Sequence, residues 1–121
     1  MTKDIEVMIY PEASEFIATI HGLDELRLDR QAQYVLINED TNEPVAINDN
    51  DEPLVYIATN NDEKERVPLV VVKPAYDKEN NRIKSACVLH ANSKNKLGEI
   101  TLSVVYNEKT YTKTIKVIPL W

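Results

Sequence analysis

The chain has 121 residues, with 20 acidic and 14 basic side chains, a net charge of −6, two glycines and one cysteine. That length suits one domain around one core, and so few glycines and cysteines exclude glycine-rich phosphate loops, collagen repeats, disulfide scaffolds and multi-cysteine zinc modules. The acidic balance argues against a nucleic-acid-binding domain, and no uninterrupted apolar stretch has the length of a membrane span or a signal-peptide core.

Val, Ile and Thr together make up about a quarter of the residues. Such β-branched side chains lose rotamer freedom in helices and fit pleated surfaces, so strands are expected. In chain order, the first candidate is Thr2 to Tyr10, with Ile5, Val7 and Ile9 on one face and Pro11 as its stop. Phe16, Ala18 and Ile20 form one face of a second strand, and Leu26 and Leu28 flank Arg27 in a short third. A helix over Leu23 to Tyr34 is the competing reading, but its apolar stripe is too thin to bury a helix, and alternation resumes at Ala32. Gln31 to Ile37 follows with Ala32, Tyr34 and Leu36 inward, then Leu54 to Thr59. Val67 to Lys73 is densely apolar but bracketed by Pro68 and Pro74, which puts it at a sheet edge or makes it short.

Arg82 to Ala91 alternates, with Ile83, Ser85, Cys87 and Leu89 inward and Lys84 and His90 outward. The last two strands are the clearest. Ile100, Leu102 and Val104 share one face, Ile115 and Val117 another, and the polar break Tyr106 to Lys109 between them has hairpin length. Asn107 tolerates a left-handed backbone there, although the favoured Asn-Gly pair is missing. Runs of Asn, Asp, Glu and Pro separate the strands at a spacing of one strand each. About seven to nine short strands with such turn spacing indicate a sandwich or a barrel.

The run Phe16 to Gly22, followed by Leu26 to Tyr34, resembles the opening of bacterial immunoglobulin-like domains of the second group. The closing run, Ala91 to Leu102 with Tyr106-Asn107 and Tyr111 to Trp121, is similar to the last module of virion proteins from phages of Gram-positive bacteria. Three features depart from that pattern. The tryptophan often found on the central strand is missing, with Tyr56 as its stand-in; the segment Asn60 to Asn81 is longer than usual; and Thr2 to Tyr10 lies outside the module. The resemblance implies an all-β, immunoglobulin-like antiparallel β-sandwich over residues 15–121, preceded by an extension strand over residues 1–14. It also implies a non-enzymatic structural or adhesive module of a bacteriophage particle, attached to capsid, neck or tail and exposed outside the host after release. Its partners would be other virion structural proteins, a host cell-surface glycan or further copies of itself, with no nucleic acid and no membrane insertion. The alternative is a carbohydrate- or cell-wall-binding module of a bacterial surface protein.

The chemistry-bearing residues fit that expectation of no catalytic residue and no cofactor. Cys87 and His90 are three apart, so on a strand they point to opposite faces and cannot share a substrate. His21 and His90 do not complete a zinc site. Asp40, Asp49, Asp51 and Glu52 lie in two acidic turns that offer calcium-type oxygens, but counting from Asp49 the sixth residue is Leu54 and the twelfth Asn60, so no EF-hand is present. The readings there are solvated turns or a calcium site of another kind.

Residues 1–65 carry 16 acids against 4 bases and residues 66–121 carry 4 against 10. The two readings are cancellation in cross-strand pairs and an oriented assembly surface. Lys94, Lys96, Lys113 and Lys116 read as protection of an edge strand, ahead of the alternative of a basic edge facing anionic cell-wall polymer. Thr2 to Tyr10 either pairs within the sandwich or adds a strand to a neighbour's sheet, and the terminal Trp121 either packs back over the sandwich end or anchors in a partner. Ile5, Val7, Ile9 and Trp121 are thus the candidates for partner contact.

Overall fold

The computed structural model describes residues 17–92 and 96–120. The expected strand Thr2 to Tyr10, the 1–14 extension, Phe16, Lys94 and Trp121 lie outside these residues. The described chain is all-β, a sandwich of two packed sheets built from nine strands: β1 Ala18–His21, β2 Glu25–Arg27, β3 Gln31–Asn38, β4 Glu43–Pro44, β5 Tyr56–Asn60, β6 Val70–Tyr76, β7 Arg82–Ala91, β8 Gly98–Tyr106 and β9 Lys109–Ile118. One sheet runs β1-β3-β7-β6, with β4 paired to the end of β3; the other runs β2-β9-β8-β5. Neighbours are antiparallel except β2 and β9, which run parallel.

The alternating positions meet between the sheets. Tyr34, Leu36 and Leu89 from one sheet and Ile100, Leu102 and Ile115 from the other are all fully buried. Tyr34 sits opposite Cys87 across the β3–β7 ladder, and Ile100 opposite Ile115 across β8–β9. The helix alternative over Leu23 to Tyr34 is absent; β2 and β3 occupy that stretch. Alternation is weakest on β7, where Ser85, Ala86 and Cys87 are buried in succession. The segment between β4 and β5 explains part of this. It packs along β7, with the Leu54 amide donating to the Lys84 carbonyl at 2.9 Å. Lys84, expected to face solvent, instead donates from Nζ to the carbonyl oxygens of Asn48 (3.2 Å), Asp49 (2.7 Å) and Asp51 (2.7 Å).

Turn chemistry does what the residue types imply. Asp77 Oδ1 accepts from the Glu79 and Asn81 amides in the β6–β7 turn, and Asn80 takes a left-handed φ of 67°. The β8–β9 hairpin closes over two residues, Asn107 and Glu108, with φ of 52° and 67°. Two left-handed residues make this the mirror-image turn that matches strand twist. Glutamate is a poor occupant of the second position, because its Cβ crowds the carbonyl in that conformation. Glu108→Gly should therefore raise stability by about 0.5–1 kcal/mol, less than the full steric relief because glycine frees the unfolded chain. A urea midpoint that falls in this variant would contradict the reading.

Candidate functional site

Four strands end the two sheets, and they differ in what guards their free edges. β1 and β2 are four and three residues long, and β2 carries Glu25 and Arg27. β6 contains Lys73 and Pro74 and a register shift between Pro74 and Tyr76. Short length, charge, proline and bulges all discourage pairing with another chain. β5 has none of these devices: Tyr56-Ile-Ala-Thr-Asn60 is uncharged and proline-free.

Much of the exposed apolar surface gathers on the same side. Val55, Ile57, Val67, Val71, Val72 and Tyr76 lie in β5, in β6 or within three residues of them, whereas Ile17, Leu23, Leu97 and Val105 are exposed elsewhere. Between the two edges an open groove of about 460 Å³ is lined by Leu54, Tyr56, Val72, Pro74 and Cys87, with Lys73 and Arg82 among its polar wall. Val72 faces inward by register, opposite Leu89, yet is 36% exposed because among the described residues no further strand closes the sandwich there. Tyr56 anchors the groove. Its ring is buried, and its hydroxyl donates to the Ser85 carbonyl at 2.6 Å, a bond from one sheet to the other. Burial pushes the ionisation of this phenol well up. Tyr56 was expected as the stand-in for a central-strand tryptophan; it points into the core as required, but from the edge strand of its sheet.

The other sequence-singled residues do not converge. Cys87 lies in the core, where burial pushes its thiol up to about 12 and disfavours the thiolate. His90 is on the opposite face of β7, half-buried, with Nε2 3.9 Å from Asp29 Oδ1 and Nδ1 buried without a hydrogen-bond partner among the described residues. His21 lies far along the other sheet edge, 3.1 Å from Glu39 Oε2. Thr19 also donates to that Glu39 oxygen, and the two neighbours, Thr19 first, hold the carboxyl below its usual range. Asp40 occupies the β3–β4 turn, whereas Asp49, Asp51 and Glu52 lie in the β4–β5 connection. Among the described residues no group of three or more acidic, histidine or cysteine side chains is placed to hold a metal ion. Where loop oxygens do converge, the cation is the Lys84 ammonium.

Charge from the two halves of the chain meets in pairs. Lys113 Nζ lies 2.5 Å from Asp24 Oδ1 and Lys96 Nζ 3.4 Å from Glu65 Oε2. The Lys113 hydrogen bond draws the Asp24 carboxyl below its ordinary value. Edge protection does not describe Lys116. It sits on β9 between β8 and β2, beside Glu25 and Glu99 in register, because β2 returns to pair with the last strand.

Ile5, Val7, Ile9 and Trp121, the expected partner contacts, lie outside the described residues. Sequence reasoning did not single out Val55, Ile57, Val71 and Tyr76. The available signal was that Val55 and Ile57 fall on the solvent phase of a strand whose inward phase is Tyr56 and Ala58, so both faces are apolar. Comparison with protein-family models, curated proteins and solved structures finds no match to this chain.

Proposed function

We propose that this chain is a non-enzymatic, immunoglobulin-like module of a phage particle, working by protein–protein assembly on a capsid, neck or tail. The observation that supports the immunoglobulin-like part of the reading is the strand path. With β1, β3, β7 and β6 taken as strands A, B, E and D, and β5, β8 and β9 as C, F and G, the two sheets have the immunoglobulin order. β2 is then a continuation of the first strand that has crossed to pair with the last. The phage assignment rests on the C-terminal resemblance, Ala91 to Leu102 and Tyr111 to Trp121. The exposed apolar flank beside the β5 edge, Val55, Ile57, Val71 and Tyr76, supplies the kind of surface that assembly uses.

Mass spectrometry of density-banded particles, produced by a phage whose genome encodes this chain, is expected to find it at a fixed ratio to the major capsid or tail protein. Its absence from intact particles, with the protein present in the lysate, would remove the assignment. Retention on purified host cell wall by a chain that never enters particles would favour the surface-protein alternative.

A further inference from the structure

We propose that the groove between β5 and β6 is the seat of this chain's own residues 2–10, added as a strand along the free edge of β5. Pattern, charge and reach each support this occupant, and none depends on the phage reading.

The groove needs a strand with one apolar face and one polar face. Its walls are Tyr56 and Leu54 on one side and Val72 and Pro74 on the other, with Cys87 at the floor. Thr2 to Tyr10 carries Ile5, Val7 and Ile9 at alternate positions, so all three would enter together while Asp4 and Glu6 face out. Charge agrees: residues 1–16 contain Asp4, Glu6, Glu12 and Glu15 against Lys3, whereas the charged residues of the groove are Lys73 and Arg82 against Glu52, an excess of one positive charge.

The chain can also get there. Ala18 pairs with Asn38 at the end of β3, and β3 runs antiparallel to β7, so β1 starts at the same end of the sheet as Arg82, the first residue of β7. Arg82 lines the groove, and β5 also begins at its lining residue Tyr56. From β1 to a strand beyond β5 is four strand spacings along the sheets and one sheet separation across them, about 22 Å. The seven steps from Tyr10 to Ile17 can span about 24 Å when extended. A segment leaving the groove at that end would run antiparallel to β5, the direction a neighbouring strand favours. Tethering keeps its effective concentration high without any partner.

Hydrogen exchange with mass-spectrometric readout on the full chain tests this. In the wild type, the amides of residues 2–10 and the edge amides of β5 should exchange at least ~10-fold more slowly than unstructured peptide. Val7→Asp should abolish both protections while β3, β7 and β9 stay protected; Val7→Ile should keep them, and the mass in solution should be that of one copy at every concentration. Unprotected exchange of residues 2–10 in the wild type would overturn the proposal. So would protection of β5 that survives Val7→Asp, which would mean another occupant, or a dimer that Val7→Asp dissociates, which would mean that the segment serves a second copy.

Discussion

Gly22→Ala should destabilise the fold by about 3 kcal/mol, at the upper end of what overpacking a core costs. The glycine lies just past β1, and a Cβ there would come within 2.2 Å of Tyr34 Cδ2 and 2.5 Å of Cε2. The ring has nowhere to go. Tyr34 is fully buried, and its hydroxyl is tied to the Leu23 carbonyl at 2.7 Å. Burial accordingly raises its ionisation to about 12. The alanine must therefore push the β1–β2 corner away from β3, loosening the crossing by which the first strand reaches the second sheet. Urea unfolding of Gly22→Ala, Tyr34→Leu and the double variant measures the coupling. The double variant should lose at least ~1 kcal/mol less than the sum of the singles, because the smaller side chain leaves room for the methyl. Strict additivity, or an unchanged Gly22→Ala midpoint, would refute the contact.

Tyr56→Ala should cost about 3–5 kcal/mol, the range for truncating a buried aromatic. Tyr56→Phe should cost about 1–3 kcal/mol. The two substitutions separate the roles of this side chain. Phenylalanine keeps the ring between Val104, its ladder partner, and the groove, but leaves the Ser85 carbonyl without the donor that now joins β5 to β7. Alanine empties the space as well. Because among the described residues β5 is held to its own sheet by β8 alone, the Ala variant should also speed amide exchange selectively along β5. Equal losses for Phe and Ala would mean that the ring contributes nothing beyond its hydroxyl.

Much of this architecture was legible in the order of residues. The alternation of Ile100, Leu102 and Val104, and of Ile115 and Val117, gave the last hairpin and its buried face, and Asn107 marked its turn. The proline pair around Val67 to Lys73 placed that strand at an edge, where β6 is found. Its bounds differ from the apolar run, since the strand begins at Val70 and runs through Pro74, which an edge strand tolerates by leaving the missing donor on its free side. The groove was not legible. Leu54, Tyr56, Val72 and Pro74 meet only because two edges from different sheets come together, and no local pattern encodes that approach. The same holds for Lys84, an outward position on its strand whose partners are carbonyls more than thirty residues earlier.

By itself, then, the order of residues determined which segments extend, where they turn and which side chains enter the core, since a period of two acts between neighbours a few ångströms apart. Only the tertiary structure decided that β2 pairs in parallel with β9, that Gly22 yields its space to Tyr34, and that β5 and β6 end the two sheets among the described residues. Those outcomes depend on how two sheets close over a shared interior. Any strand can pair along either of its edges, and it is the burial of Tyr34, Leu36, Ile100 and Leu102 from both sides that selects among them.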